Sequence, residues 1–154
     1  LAERFKEQKR IFEYGGGFIQ DRSIYEDTGI FAKMHFDKGR MSPTDYETYT
    51  NLFDAMVMTP YFPHPDLLIY LEGSIDNILD RIEERGRPME QQTDKAYWHE
   101  MHDRYENWID GFNSCPVLRL DINDYDLMKN PDSIELILER IGHFMEQTSH
   151  LRRR

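Results

Sequence analysis

Two short apolar runs, separated by helical patterns, are the feature that most constrains the fold of this chain. Residues 67–71 read Leu-Leu-Ile-Tyr-Leu, and residues 116–122 contain the other apolar run. The first run is typical of a strand that is buried on both faces. A further strand is predicted over residues 18–23, after a glycine turn. Because these strands alternate with helices, the sequence predicts an α/β fold with a parallel sheet and flanking helices.

Caps and glycines mark the predicted helices. A serine precedes or opens four of them: Ser23, Ser42, Ser74 and Ser133. Glycines mark the predicted ends of three helices: Gly15, Gly39 and Gly86. Apolar residues at helical spacing predict two more helices, over residues 1–12 and 98–109.

Length and charge limit the class of protein. A chain of 154 residues suits a single domain over residues 1–154. Its 19 Lys and Arg against 29 Asp and Glu leave a net charge of −10, which argues against binding nucleic acid polymers or anionic membranes.

One cysteine excludes a disulfide framework and a multi-thiolate zinc site. No apolar run approaches the ~18 residues of a membrane helix, and no signal peptide is visible. We therefore expect a cytoplasmic protein.

Asp21 and Arg22 end the predicted strand over residues 18–23. Parallel sheets bind ligands beyond the carboxyl ends of their strands. A carboxylate there can hold Mg²⁺ or take a proton from a hydroxyl, and an adjacent arginine can neutralise phosphate oxygens. An ordinary ion pair at a strand end is the alternative interpretation.

Asp27 and Phe31 are four residues apart in the following predicted helix, so they share a face. The ring could stack on a nucleic base while the carboxylate accepts from an exocyclic amine. The alternative is a solvated acid and a core phenylalanine.

Arg81, Arg85 and Arg87 gather near the end of another predicted helix, in a chain that is otherwise acidic. Three guanidinium groups there could grip an anion such as the phosphates of ATP. The alternative is that the cations stabilise the helix dipole. No acid stands four residues before Arg81 or Arg85, so the simplest helical ion pair is absent. Residues 88–90 are predicted to form a mobile loop rather than another helical turn, and Glu90 could bind a sugar hydroxyl.

The segments Gln-Asp-Arg-Ser-Ile-Tyr-Glu-Asp-Thr-Gly-Ile-Phe at residues 20–31 and Ile-Glu-Glu-Arg-Gly-Arg-Pro-Met-Glu at residues 82–90 together resemble the deoxyribonucleoside kinases. The resemblance runs through essentially the whole chain. It implies a phosphate-loop kinase fold and ATP-dependent phosphorylation of the 5′-hydroxyl of deoxynucleosides, deoxyadenosine and deoxycytidine in particular. It also implies Mg²⁺, and a homodimer for which the helices around residues 1–12 and 46–58 are candidate faces.

The resemblance implies a role for each candidate residue. Asp21 would lie near Mg²⁺ and the reacting hydroxyl, and Arg22 would contact the 5′-hydroxyl and the phosphates. Asp27 would face the amino group of the base, and Phe31 would stack on it. Glu90 would bind the 3′-hydroxyl of the sugar. The arginines of the lid over residues 81–90 would close over the ATP phosphates: Arg81, Arg85 and Arg87. Asp124 and Tyr125 would fall near the loop that holds the ATP adenine.

The chain departs from the family pattern in one respect. The family has a phosphate loop, Gly-x-x-x-x-Gly-Lys-Ser/Thr, which these residues do not contain. Its upstream catalytic glutamate and base-reading glutamine are also missing, and all would precede Leu1. We therefore expect this chain alone to be inactive, and to lack the N-terminal strands of the sheet.

Two alternative functions stay open at this point. One is a kinase of another nucleoside or nucleotide, such as thymidylate. Against it, the Asp27–Phe31 pair suits a base that carries an amine. The other is a noncatalytic fragment that binds nucleotides or dimerises.

Overall fold

The computed structural model describes residues 1–60, 62–125 and 130–149. The chain divides into two compact units, Leu1–His64 and Pro65–Arg154. In the described residues, no helix has both the length and the apolar character needed to span a bilayer.

The first unit is helical. Its elements, in chain order, are α1 (Ala2–Tyr14), α2 (Ile24–Glu26), a π-helical turn (Asp27–Ala32), α3 (Lys33–Asp37) and α4 (Pro43–Val57). The helix predicted to start at Ser23 is confirmed, and a π-helical turn interrupts it. The predicted serine cap of α4 is confirmed, because the Ser42 side chain accepts a hydrogen bond from the Asp45 N–H at 3.1 Å.

Buried side chains of α2 and the turns beside it form the core of this unit. Ile24 and Ile30 are almost fully buried. The Tyr25 ring lies edge-on to Phe53 at 5.8 Å and to Phe62 at 6.4 Å, measured between ring centroids. This packing fixes α2 against the other aromatic side chains of the first unit.

Residues 18–23 do not form the predicted strand. They are irregular, Phe18 is half exposed and Ile19 is fully exposed. A strand exists only when its backbone groups pair with a neighbouring strand. Within the described ranges, none pairs with this segment. Asp21 and Arg22 therefore lie in an irregular connection between α1 and α2, and not at the end of a strand.

In its described residues, the second unit combines two strands with four helices. Its elements are β1 (Leu68–Glu72), α5 (Ile75–Arg85), α6 (Pro88–Gln91), α7 (Lys95–Gly111), β2 (Val117–Asp121) and α8 (Ser133–Gln147). The strands are parallel, and their register runs from Leu68 opposite Val117 to Glu72 opposite Asp121. The predicted α/β class with a parallel sheet and flanking helices is confirmed.

Strand β1 is not buried on both faces, contrary to the prediction. Ile69 and Leu71 share a sheet face with their partners Leu118 and Leu120. The two β2 side chains are buried, whereas Ile69 is 41% exposed and Leu71 is 64% exposed. In the described part of the chain β1 pairs on one side only, so its outer edge is also unpaired.

Residues 88–91 form the short helix α6, and not the predicted loop. Pro88 occupies the first helical position, where its missing N–H removes no intrahelical hydrogen bond. Gly86 ends α5 with φ 65° and ψ 23°, the left-handed conformation that glycine adopts without strain. The reversal at Gly86 brings α6 back beside α5.

Candidate active site

Ser23 and Glu26 fix the start of α2. The Ser23 backbone N–H donates to Glu26 Oε2 at 2.7 Å, and Ser23 Oγ accepts from the Tyr25 N–H at 3.2 Å. This is a capping box, which satisfies backbone donors that the helix leaves unpaired. It anchors the chain immediately after Asp21 and Arg22.

Arg22 has an unusual backbone and a specific side-chain contact. Its φ of 62° is the only positive value at a non-glycine residue in the described part of the chain. The left-handed region is strained for a residue with a Cβ, and such strain is concentrated at functional sites. The Arg22 guanidinium lies 5.5 Å from the centroid of the Phe31 ring, within cation–π range. The structure thus brings Arg22 and Phe31 together.

Asp27 pairs with Arg4, a residue that the sequence did not single out. Arg4 Nε donates to Asp27 Oδ2 at 3.4 Å, and the two side chains are 30% and 25% exposed. Asp27 is therefore neither isolated nor fully solvated. It opens the π-helical turn that also contains Phe31, and such turns are frequent at functional sites. No local pattern identifies Arg4, because the contact spans 23 residues.

Tyr49 of α4 also lies near Asp27. Burial raises the pKa of the Tyr49 hydroxyl, and the negative charge of Asp27 raises it further, while a hydrogen bond with Thr28 opposes the change. The sequence did not single out Tyr49. The structure adds it to the polar groups around Asp27.

Gln8 and Gln20 tie the irregular segment to α1. Gln8 is buried, and its Nε2 donates to Gln20 Oε1. Gln20 Nε2 is buried and, among the described residues, has no hydrogen-bond partner. Because Gln20 directly precedes Asp21, this contact restrains the segment from its N-terminal side while the capping box restrains it from the other. Asp21 itself is exposed.

In the second unit, Arg81 has a different hydrogen-bond partner from Arg85 and Arg87. Its Nη2 donates to the Ile122 carbonyl oxygen at 2.6 Å. Asn77 Nδ2 donates to Asn123 Oδ1 at 2.7 Å, one turn earlier on the same helix. These bonds connect α5 to the turn after β2. The role of all three arginines in binding ATP phosphates stays a prediction, and the structure adds that the Arg81 guanidinium donates to a backbone carbonyl.

Arg85 and Arg87 meet at Glu90. Arg85 Nη2 lies 2.8 Å from Glu90 Oε2, and Arg87 Nη1 lies 3.5 Å from Glu90 Oε1. Helical spacing indicates no acid partner for Arg85 within α5. The structure supplies one from α6, because the turn at Gly86 reverses the chain. The predicted candidates Arg85, Arg87 and Glu90 are thus brought together.

Asp124 and Tyr125 follow β2. The Asp124 N–H donates to the Asp121 carbonyl oxygen at 3.1 Å, and the Asp124 side chain is exposed. Arg140 Nη1 of α8 donates to the Tyr125 hydroxyl at 3.0 Å. This hydrogen bond is the main reason that the pKa of Arg140 is raised. The turn that contains both residues is thus bonded to α5 on one side and to α8 on the other.

Asp21 is the carboxylate that the sequence predicts to hold a metal ion. In the described ranges, no group of three or more His, Cys, Asp or Glu side chains could hold a metal ion. Mg²⁺ usually keeps several waters and needs one or two carboxylates in addition to substrate phosphates. Asp21, exposed beside Arg22, fits that limited requirement.

Comparison with known proteins places the chain in a family. The family model described as deoxynucleoside kinase matches residues 1–146. The chain belongs to the deoxynucleoside kinase family. The deoxyadenosine/deoxycytidine kinase of Bacillus subtilis is 74% identical over 142 residues, which cover 92% of this chain and 65% of that protein. The deoxyadenosine kinase of Lactobacillus acidophilus is 35% identical over 86% of this chain and 65% of its own length.

A solved structure of a family member has the same fold. The M. mycoides deoxyadenosine kinase with bound dATP matches with a TM-score of 0.68 and 28% identity, over 92% of this chain and 69% of that chain. The present chain spans about 65% of the length of the two curated relatives. The resemblance inferred from the sequence is confirmed.

Proposed function

We propose that the protein containing this chain transfers the γ-phosphoryl group of ATP to the 5′-hydroxyl of deoxyadenosine and deoxycytidine. Membership of the deoxynucleoside kinase family and the 74% identity to the B. subtilis enzyme support this reaction. They favour it over thymidylate phosphorylation and over a noncatalytic role. The observation that carries the proposal is the grouping of Arg4, Asp27, Arg22 and Phe31 around one π-helical turn.

Asp27 and Phe31 would recognise the base. Adenine and cytosine both carry an exocyclic amine, and a carboxylate accepts a hydrogen bond from such a donor. Arg4 Nε donates to the Asp27 carboxylate at 3.4 Å and holds it in a partly buried position. The Phe31 ring offers a stacking face for the base once the Arg22 guanidinium, now 5.5 Å away, turns to the substrate.

The arginines and Glu90 would handle the sugar and the phosphates. In the reaction, the 5′ oxygen attacks the γ-phosphorus, the bond to the β–γ bridging oxygen breaks, ADP leaves and the hydroxyl proton passes to a carboxylate. Arg22 would orient the acceptor, and Arg85 and Arg87 would neutralise charge on the transferred group. Arg81, through its bond to Ile122, would fix the turn in which Asp124 and Tyr125 approach the adenine of ATP. Glu90 would accept from the sugar 3′-hydroxyl.

Asp21 would hold Mg²⁺, directly or through water. Bound Mg²⁺ neutralises phosphate charge during phosphoryl transfer. The capping box at Ser23 and the Gln8–Gln20 contact restrain the chain on both sides of Asp21, which supports this role by limiting where its carboxylate can lie.

We also propose a cytoplasmic homodimer, with the chain acting as one domain. Apolar side chains on α1 and α4 support dimerisation: Phe12 and Leu52 are each 48% exposed, and Met58 just beyond α4 is 82% exposed. Exposed apolar patches often mark protein interfaces. Sedimentation that shows monomer alone would contradict the dimer.

The cytoplasmic location is supported by the cysteine content. The single free cysteine suits a reducing compartment.

A competition assay tests the proposed reaction. The product of the complete reading frame that contains this chain is assayed with ATP and a mixture of deoxyadenosine, deoxycytidine, thymidine and thymidylate. We expect 5′-monophosphates of the first two. Preferential formation of thymidine diphosphate, or the absence of any nucleotide product, would refute the proposal. The same assay on residues 1–154 alone tests the expectation that this chain is inactive.

A further inference from the structure

Glu90 contacts both Arg85 and Arg87 with its two carboxylate oxygens. Arg85 approaches Oε2 with Nε at 3.0 Å and Nη2 at 2.8 Å. Arg87 Nη1 lies 3.5 Å from the other oxygen, Oε1. We call these three residues the Glu90 cluster. The two guanidinium groups are therefore held by an internal anion.

The surroundings of Glu90 make it a fixed counter-ion. The Glu90 side chain is 19% exposed, whereas Arg85 and Arg87 are 48% and 64% exposed. Gln91 Nε2 donates to the carbonyl oxygens of Ile82 at 3.3 Å and Glu83 at 3.1 Å, which holds α6 against the last turn of α5. The carboxylate is thus partly shielded from water and held in place, while the cations reach solvent.

We propose that Glu90 restrains Arg85 and Arg87 in the absence of ligand, and that a polyphosphate must displace its carboxylate before these arginines can bind. The proposal rests on the function proposed above only in assigning phosphates to the two arginines. The same N–H donors cannot bind a carboxylate and a phosphate fully at the same time. Breaking the ion pairs with Glu90 therefore costs part of the free energy that the arginines gain by binding an external anion. Loss of the Glu90 charge removes this cost and strengthens anion binding.

Titration calorimetry of residues 1–154 with inorganic tripolyphosphate, without metal, tests this restraint. We expect Glu90→Gln to bind tripolyphosphate about three- to fivefold more tightly than the unmodified chain, the range that partly exposed ion pairs allow. Glu84→Gln is the matched control. It removes the same charge from the neighbouring helix, at an exposed residue for which no ion pair is found within the described ranges. We expect it to change affinity less than 1.5-fold, about the scale of a distant screened charge.

A double variant and a folding check complete the test. In Glu90→Gln combined with Arg85→Gln, the gain in affinity should vanish, because it depends on the released guanidinium. Circular dichroism of each variant shows whether it is folded, so that loss of fold is separated from loss of restraint. Glu90→Ala serves as a second truncation.

Two outcomes would contradict the proposal. Equal gains in tripolyphosphate affinity in Glu90→Gln and Glu84→Gln would overturn the restraint and leave the proposed kinase function intact. If no variant binds tripolyphosphate, both the restraint and the phosphate role of these arginines are wrong, whereas the competition assay still decides the kinase activity separately.

Discussion

Arg4 Nε lies 3.4 Å from Asp27 Oδ2, and this contact joins α1 to the π-helical turn. Both side chains are about a quarter to a third exposed, so the pair is shielded enough to be held and open enough to meet a ligand. A carboxylate that is anchored on one side by a guanidinium presents its remaining lone pairs in a fixed direction.

Replacement of Asp27 tests base recognition in the complete protein. We expect Asp27→Ala to lower kcat/KM for deoxyadenosine and deoxycytidine by about ten- to a hundredfold, since hydrogen bonds to charged groups contribute about 1.5–3 kcal/mol. Thymidine has no exocyclic amine and should be affected much less. Asp54→Ala, an exposed aspartate of α4, is the control. An equal loss for all three nucleosides would contradict the assignment.

Arg85 is expected to act on turnover. In the complete protein, Arg85→Gln should lower kcat by at least about 100-fold, the usual cost of losing a donor that stabilises transition-state charge. The KM for the deoxynucleoside should change little. Steady-state kinetics with varied nucleoside at saturating ATP measure both values. Unchanged turnover would remove Arg85 from the phosphate site.

The left-handed backbone of Arg22 predicts that replacement by glycine leaves the chain more stable than replacement by alanine. At φ 62°, alanine keeps the strain of a Cβ, whereas glycine relieves it. We therefore expect Arg22→Gly to have a free energy of unfolding about 1 kcal/mol higher than Arg22→Ala. Urea denaturation of the two variants measures the difference. A more stable alanine variant would show that the left-handed conformation is absent in solution.

The raised pKa of the Tyr70 hydroxyl predicts that the folded chain loses stability at alkaline pH. Burial, followed by the 2.6 Å hydrogen bond that its hydroxyl donates to Glu106, raises the pKa of Tyr70 in the folded chain. An unfolded tyrosine releases its proton near pH ~10. The folded state retains that proton. The contribution of Tyr70 to the free energy of unfolding is therefore complete below this pH and is lost as the pH rises above it. Urea denaturation should show a steeper alkaline decline for the unmodified chain than for Tyr70→Phe; parallel declines would contradict the prediction.

Cys115 should react slowly in the folded chain. Burial is the largest cause that raises the pKa of its thiol from 9.0 to about 11, and the charge of Asp66 adds to it. Because only the thiolate is nucleophilic, the reactive fraction at pH 8 falls about 100-fold. Alkylation by iodoacetamide reports this thiol alone, since the chain has one cysteine. We expect normal reactivity after unfolding in urea, and equal rates in the two states would contradict the raised pKa.

Local signals in the sequence determined where most of the helices begin and end. The caps at Ser23, Ser42 and Ser74 bond to backbone groups two or three residues away, and Gly86 supplies a conformation that other residues resist. Such interactions are contained within one turn of chain, so a short sequence window is sufficient to predict them. The parallel pairing of β1 with β2 followed from the alternation of strands and helices.

Only the tertiary structure decided which charged groups meet. Arg4 finds Asp27 across 23 residues, Arg85 finds Glu90 because the chain reverses at Gly86, and Arg81 binds the carbonyl of Ile122 across 41 residues. The segment over residues 18–23 shows the same limit, since its strand-like sequence is not a strand without a hydrogen-bonded neighbour. Contacts of this kind depend on the packing of distant elements, and no pattern along the chain specifies that packing.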